Sequence, residues 1–362
     1  MKSRRSDLLA TIAGLAAAWI AFDLLVWGYG ESPRELARLL FEGTWGTGYG
    51  AGQVLFKATP LLFSGVAFHL ALRGGLFNIG AEGQITIGSL VVATVGAHLS
   101  PQLRPLFAVP IVLMAAMVAG SLWAALPALL RARYGAHEVI STIMMNRIAD
   151  SVVGLAFAYG LAKTGTVRTP DIRSAAHLPR LDHFVSAFRG SAASVALLLA
   201  IAVAIAVTLA ERRTRIGREI GLVGQNPVAC AAERIPVARR IVAAMMISGA
   251  VAALACSGTV LGYKGYYEQG LGAGAGFGGL AVALLGRGNP IGLLLAALLV
   301  GTLAQGGLAL NAHVPMEMMD IVQAVVIVSV ALADTRIRSA LARSVGVVRG
   351  VTAAPASKGG LA

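Results

Sequence analysis

A run of polar and ionisable side chains opens one of the apolar segments of this chain. Glu138, Ser141, Thr142, Asn146 and Asp150 lie at offsets of three, four and eight residues. An α-helix turns about 100° per residue, so these side chains share roughly one helix face. An ionisable group at membrane depth is costly and faces protein or water rather than lipid. The stripe predicts either a transport pathway or hydrogen bonds between helices, and its spacing favours neither.

A second polar group lies where another apolar segment begins, in Leu76-Phe-Asn-Ile-Gly-Ala-Glu-Gly-Gln84. One interpretation is a helix start, in which Asn78 caps the helix and Glu82 interacts with its positive end. The other is a pathway or gate, because broken helix ends often build transport sites. The two interpretations are compatible. The candidate pathway residues from both groups are Asn78, Glu82, Gln84, Glu138, Ser141, Thr142 and Asn146.

A third candidate region is the basic loop 211–240, which contains the break Gly224-Gln-Asn-Pro227 followed by a short alanine-rich stretch. Asn226 is a favourable helix cap, and Pro227 suits the first turn of the helix that follows. A short amphipathic helix on the membrane surface is what a transporter needs to receive force from a separate ATPase. The alternative is a basic loop that only orients the chain. The candidate coupling residues are Arg218, Gly221, Gly224, Gln225, Asn226, Pro227 and Glu233.

Signatures of covalent chemistry are missing from the sequence. There is no G-x-x-x-x-G-K-[ST] phosphate loop, no H-E-x-x-H and no G-x-S-x-G. Gly274-Ala-Gly-Phe-Gly-Gly279 matches G-x-G-x-x-G outside any soluble βαβ unit, so we interpret it as a hinge or tight turn. The histidines are scattered, and Cys230 and Cys256 lack metal-ligand spacing. We predict no catalytic residue, no metal, no cofactor of its own, and no enzyme activity.

The elements that must position these residues are membrane helices. Of the 362 residues, 57% are hydrophobic and only 13% are charged, which is about half the charged share of a soluble protein. Mean hydropathy is +0.75. The predicted fold is an all-α polytopic membrane protein with about ten segments, one of them short or re-entrant. The predicted segments are 8–28, 53–72, 84–100, 106–130, 138–161, 191–210, 241–262, 276–286 (the short one), 291–311 and 317–334.

The distribution of arginine and lysine predicts the orientation of these segments. The net charge is +13, and short basic loops between apolar runs mark the cytoplasmic side, so the charge indicates topology rather than nucleic-acid binding. Loop 211–240 and the tail after 335 are basic, which predicts that both termini are cytoplasmic. The segment 162–190 is also basic and conflicts with this rule. We expect 1–335 to form the membrane domain and 336–362 to be a disordered cytoplasmic tail.

Four blocks in order resemble the nucleoside and simple-sugar branch of bacterial ABC-importer permeases, which is related to the branched-chain amino acid and ribose permeases. The blocks are Arg73-Gly-Gly-Leu-Phe-Asn-Ile-Gly-Ala-Glu-Gly-Gln84, Glu138-Val-Ile-Ser-Thr-Ile-Met-Met-Asn146, Gly224-Gln-Asn-Pro227 and Leu280-Ala-Val-Ala-Leu-Leu-Gly-Arg-Gly-Asn-Pro-Ile-Gly292. The resemblance covers roughly 50–335. The chain departs from the usual family pattern at Arg147, Gln225 and Gly278.

The resemblance implies a multi-pass protein of the bacterial inner membrane that imports a nucleoside or simple sugar by alternating access. It implies four kinds of partner: an ABC ATPase subunit that uses the ATP, a second permease subunit in a homo- or heterodimer, an extracytoplasmic substrate-binding protein, and membrane lipid. No nucleic acid is expected. The alternatives are an ion-coupled secondary transporter, for which Glu82 and Asp150 are the candidate ion ligands, and an ABC permease for branched-chain amino acids.

Overall fold

The computed structural model describes residues 26–315 and 317–329, together with 16, 19, 20 and 22–24. In this part of the chain the regular structure is helical, with two isolated bridges and no β-strand. The helices are α1 (Pro33–Thr44), α2 (Gly48–Arg73), α3 (Ala81–His98), α4 (Pro105–Tyr134), α5 (Glu138–Ala156), α6 (Ala196–Arg213), α7 (Arg215–Gln225), α8 (Pro227–Ala232), α9 (Val237–Ala253), α10 (Ala275–Gly286) and α11 (Pro290–Leu310). Residues 317–329 are also helical.

The structure confirms the predicted all-α polytopic class. In the described residues five helices are long and apolar enough to cross a membrane; they are Gly48–Arg73, Pro105–Tyr134, Glu138–Leu161, Val237–Lys264 and Pro290–Leu310. Predicted segments 106–130 and 138–161 begin within one residue of the helices that start at Pro105 and Glu138. The total of ten stays a prediction.

The remaining predicted segments differ in outcome. Segments 84–100 and 191–210 correspond to α3 and α6, whose helices begin at Ala81 and Ala196. Segment 8–28 lies largely outside the described residues, and 317–334 is described as far as 329. The tail 336–362 lies outside them altogether.

Two compact units make up the chain. One is Arg38–Ala312, which contains α2 to α11, and the other comprises Met1–Ala37 and His313–Ala362. All the contacts described below lie within the first unit.

Glycine and alanine bring the long helices of this unit close together. At the crossing of α4 and α9, a Cβ on Gly120 would overlap the carbonyl oxygen of Gly249, and a Cβ on Gly249 would overlap that of Gly120. In lipid, helices associate through packing of this kind, because there is no hydrophobic effect to press them together.

Helix α10 is the predicted short segment. Its 12 residues span about 18 Å at 1.5 Å per residue, too short to cross the roughly 30 Å hydrocarbon core. Gly278 lies against Leu61, near the middle of α2, and Gly288, just beyond α10, lies against His69. Helix α10 and the turn after it therefore pack along only the half of α2 that ends at Arg73. Arg287 and Gly288, with φ of 51° and 69°, turn the chain into α11.

The loop 162–194 contains short 3₁₀ turns and packs against the C-terminal end of α3 and the segment that follows α9. The Ile172 N–H donates to the Gly265 carbonyl at 2.8 Å, and the Arg173 N–H donates to the Gly96 carbonyl at 3.0 Å. Its basic residues fold the loop locally: Arg168 and Lys163 both pair with Asp171, at 2.7 and 3.1 Å. The basic residues of 162–190 conflict with the orientation rule. These ion pairs give two of them, Lys163 and Arg168, a structural role within the loop.

Candidate functional site

The centre of the helical unit contains a carboxylate at the N-terminus of the half-helix α10. Glu82 Oε1 accepts a hydrogen bond from the Gly274 N–H at 2.7 Å, and Oε2 accepts one from the Gly276 N–H at 2.8 Å. The first N–H groups of a helix have no partner within it and carry partial positive charge, so a carboxylate there is stabilising. Glu82 does interact with a positive helix end, as one interpretation proposed, but the helix is α10 and not its own.

The glycine motif before α10 makes this geometry possible. Gly270, Gly272 and Gly274 have φ of 85°, 84° and 86°, a backbone conformation that side chains with a Cβ rarely adopt. A Cβ at Gly276 would overlap the backbone nitrogen of Glu82. The tight turn predicted for Gly274–Gly279 is therefore confirmed at its first residue, and the glycines allow the Glu82 carboxylate to reach the helix end.

The loop before α3 is held by amide side chains. Asn78 and Gln84 form two reciprocal hydrogen bonds of 3.0 Å, and Asn78 Nδ2 also donates to Ser248 Oγ on α9 at 2.8 Å. The Ser248 hydroxyl donates in turn to the Ala67 carbonyl at 2.7 Å. The proposal that Asn78 caps α3 is wrong: the residue before α3 is Gly80, which has no side chain to cap with. Asn78 instead ties α2, α3 and α9 together.

The polar stripe of α5 faces this loop. Asn146 Oδ1 accepts from the Gly83 N–H, and its Nδ2 donates to the Ile79 carbonyl, both at 2.9 Å. Thr142 is buried and donates to the carbonyl of Glu138, one turn earlier. The Glu138 carboxylate, also buried, lies 3.3 Å from Arg131 Nε.

The seven candidate pathway residues thus fall into two groups. Asn78, Gln84, Glu138, Thr142 and Asn146 are buried, whereas Glu82 and Ser141 are partly exposed. The Ser141 hydroxyl lies 3.2 Å from the Glu138 carbonyl. Asp150, at the end of the stripe, lies 4.0 Å from Arg147, as the sequence suggested, and both side chains are mostly exposed. In this conformation the buried residues form hydrogen bonds within the protein, which was one of the two interpretations of the polar stripe. Glu82 lies where α3 and α10 meet.

The region 211–240 forms two helices, α7 and α8, at one end of the unit, which we call the α7–α8 face. Asn226 accepts a hydrogen bond from the Ala229 N–H at 3.0 Å and caps α8, and Pro227 is the first residue of α8, both as predicted. Gln225, Asn226, Pro227 and Glu233 are exposed. Arg218 is exposed as well and donates to the Arg213 carbonyl at the end of α6, at 3.2 Å.

The glycines of α7 do not belong to this exposed surface. Gly221 and Gly224 lie three residues apart, on one side of the helix, and point into the protein. A Cβ at Gly221 would lie 2.7 Å from Nη2 of Arg73, and a Cβ at Gly224 would overlap the Arg73 carbonyl oxygen. Helix α7 therefore lies in backbone contact with Arg73–Gly75, the start of the loop that carries Asn78 and leads to Glu82.

An ion-pair cluster fixes α7 to α9. Arg215 Nε donates to Glu219 Oε1 at 2.6 Å, and Arg240 Nε donates to Oε2 at 2.5 Å. The hydrogen bond from Arg215 lowers the pKa of the Glu219 carboxyl, and Arg240 acts in the same direction. The carboxylate thus connects two arginines, one within α7 and one on α9.

Glu219→Gln should lower thermal stability in a pH-dependent way. The folded-state pKa is below the unfolded value of about 4.3, so the carboxylate stabilises the fold above that pH, and the stabilisation is lost as pH falls through the lowered pKa. We expect a gap in melting temperature between the wild type and Glu219→Gln that is constant above about pH 5 and closes in more acidic buffer. Glu233→Gln, at the exposed end of α8, is the matched control. A gap of equal size throughout would contradict the ion-pair account.

The sequence analysis overlooked another polar cluster. Lys57, Gln53 and Gln305 line a cavity together with aromatic side chains on the half of α2 away from Arg73. The sequence did contain a signal for this cluster: Lys57 lies inside the predicted apolar segment 53–72. A lysine within a membrane segment is costly and often marks a functional site.

An array of long apolar helices around a short helix, joined to a surface helix pair, identifies this chain as a multi-pass membrane protein. Residues 50–331 match the family model of the branched-chain amino acid transport system / permease component. The chain belongs to that family.

Similar proteins are named as permeases of ABC transporters. The chain is 36% identical to the guanosine ABC transporter permease protein NupP of Bacillus subtilis, over 90% of this chain and 92% of the relative. It is 31% identical to a glucose ABC transporter permease of Haloferax volcanii, over 89% and 85%. It is 29% identical to the nucleoside ABC transporter permease protein NupB of Lactococcus lactis, over 92% and 93%. No solved structure matches significantly.

Proposed function

We propose that the chain is the membrane subunit of an ATP-driven importer that carries a nucleoside or a simple sugar. The substrate class follows the names of the similar permeases, which are permeases for guanosine, glucose and nucleosides. Branched-chain amino acids, which the family description mentions, are the second candidate.

The observation that carries the coupling part of the proposal is the contact of α7 with the loop before α3. Force applied to α8 passes to α7, and from Gly224 to the backbone of Arg73–Gly75. That loop leads to Glu82, which holds the N-terminus of α10. A packed chain of backbone contacts transmits displacement because it has little free volume to absorb it.

In this mechanism the α7–α8 face is cytoplasmic and receives a separate ATPase subunit. ATP binding moves α8, the movement shifts the loop and α10, and the pathway switches from inward- to outward-facing. A second permease subunit completes the pathway, an extracytoplasmic binding protein delivers substrate, and both termini lie on the cytoplasmic side of the inner membrane. The chain performs no covalent chemistry and is a bistable element biased by its partners.

The ion-coupled alternative has less support. Glu82, its main candidate ligand, is already engaged by two backbone N–H groups, and Asp150 is mostly exposed beside Arg147. The similar proteins are named as ABC permeases. These observations favour a permease that obtains its energy from a partner ATPase.

The test is co-purification of the chain with an ABC ATPase subunit expressed alongside it. Val228 on α8 is 78% exposed, and Val167 in the loop 162–194 is 76% exposed. Val228→Asp should weaken ATPase association at least ~10-fold by placing a desolvated charge in the interface, and Val167→Asp should leave it unchanged. Because both valines are largely exposed, neither substitution should disturb packing within the chain. Retention of the ATPase by Val228→Asp, or its loss with Val167→Asp, would contradict the assignment of α8.

A further inference from the structure

A cavity on the half of α2 away from the α7–α8 face has the chemistry of a small-molecule site. Its volume is about 500 Å³, within the usual range for such sites. Resting on the proposed function, we propose that this cavity is a substrate-binding site of the permease, which takes a hydroxyl-rich ligand with a ring, the class to which nucleosides and simple sugars belong.

Two helices contribute the long polar side chains of the cavity lining. Tyr49, Gln53 and Lys57 follow one another at four-residue intervals and so lie on one face of α2, and Gln305 lies on α11. The Gln53 side-chain amide donates to the Tyr49 hydroxyl at 2.9 Å, which orients both groups. These polar groups are therefore positioned by helices, and Thr47, the residue before α2, also lines the cavity.

Within the part of the chain that the structure describes, the ammonium group of Lys57 has no partner. It is partly buried, and it forms no hydrogen bond or ion pair with any described residue; the Gln305 side chain likewise has no hydrogen-bond partner there. A lysine inside a membrane segment is costly and faces a water-filled cavity or a ligand. None of the described residues that line the cavity is acidic. The site offers hydrogen-bond donors without a counter-charge.

The apolar side of the cavity is aromatic. The rings of Phe56 and Tyr263 pack with centroids 5.1 Å apart and a tilt of 59°, and Tyr49 is half exposed beside them. Aromatic rings provide a flat surface for a base or for the apolar face of a sugar ring, and the ammonium and amide donors suit hydroxyl and carbonyl oxygens. The described lining residues include a lysine and no carboxylate, which disfavours a cationic ligand.

The cavity lies toward the side of the protein opposite the α7–α8 face, where substrate would enter during import. Lys57 precedes Arg73 by 16 positions, so it lies about 24 Å along α2 from the end that contacts α7. The Glu82–α10 junction lies between these two levels. A substrate released on the side opposite the ATPase would meet this cavity before it reaches the junction.

The experiment measures ATP-dependent uptake of guanosine, uridine, glucose and leucine by the full transporter reconstituted in proteoliposomes. For the nucleoside or sugar that the wild type imports, Lys57→Met and Gln305→Leu should each raise KM about 10-fold, the loss expected for one hydrogen bond to a charged or polar group. Lys57→Arg should restore part of the affinity. Lys163→Met, which removes a lysine from the exposed loop 162–194, should leave uptake unchanged.

The outcomes separate the two proposals. If the wild type imports a nucleoside or sugar and both Lys57→Met and Gln305→Leu keep KM within about twofold of the wild type, the cavity is not a substrate site and the proposed function stands. If the wild type imports leucine and none of the others, the proposed substrate class is wrong, and the assignment of this cavity to hydroxyl-rich ligands falls with it.

Discussion

Glu82→Ala is expected to abolish most transport. The substitution leaves the N–H groups of Gly274 and Gly276 without their acceptor at the start of α10. Hydrogen bonds to a charged group contribute roughly 1.5–3 kcal/mol each, so we expect the loss of both to destabilise the arrangement of α3 and α10 by roughly 3–6 kcal/mol. Since 1.4 kcal/mol corresponds to a factor of ten, the population of the competent state should fall by at least about 100-fold.

ATP-dependent uptake in proteoliposomes and thermal unfolding in detergent measure these effects. Glu82→Gln keeps one carbonyl acceptor but presents its amide N–H₂ to the second donor, so its effect should be intermediate. Glu42→Ala is the matched control, because Glu42 is exposed and forms a surface ion pair with Arg38, and the loss of such a pair should cost no more than ~0.5 kcal/mol. Wild-type uptake by Glu82→Ala would show that the carboxylate does not hold α10 in the working transporter.

Gly224→Ala is expected to separate ATPase binding from transport. A Cβ at this position would overlap the Arg73 carbonyl oxygen and lie 2.7 Å from both the Gly74 carbonyl carbon and the Gly75 nitrogen. Backbone atoms cannot rotate away, so α7 must move off the loop. Overpacking of this kind costs typically 1–3 kcal/mol, which predicts a decrease in coupled uptake of about 10- to 100-fold.

Two other glycines provide the comparison. A Cβ at Gly221 would meet the end of the Arg73 side chain, which can shift, so Gly221→Ala should have a small effect; Gly154 on α5 has nothing within 4 Å, so Gly154→Ala should have none. The exposed surface of α8 is unchanged in all three variants, and we expect the ATPase to co-purify with each. If Gly224→Ala transports as well as Gly154→Ala, force does not pass through this contact.

These two predictions concern one route through the protein. Gly224 lies at its beginning, beside Arg73, and Glu82 lies at its end, beside α10. Between them, Asn78 and Asn146 connect the loop to α9 and α5. A loop held on several sides moves as a unit, which suits an element that passes displacement from a surface helix to a half-helix inside the membrane domain.

The class of this protein follows from the sequence alone. Hydropathy is a local and additive property, so it located the apolar segments without knowledge of their neighbours, including the short segment that became α10. Cap chemistry is equally local: Asn226 and Pro227 predicted the start of α8 correctly. The ordered blocks identified the family, which the family match over 50–331 confirms.

The role of each polar residue was decided only by the tertiary structure, because its partners lie far away in sequence. Glu82 meets Gly274, Asn78 meets Ser248, and Gly224 meets the Arg73 backbone. Periodicity places Asn146 on a helix face but does not indicate which neighbour that face contacts. The cavity at Lys57 likewise depends on α11 and on Tyr263. Spacing along one helix determines which side chains share a face, whereas the packing of distant helices determines what that face touches.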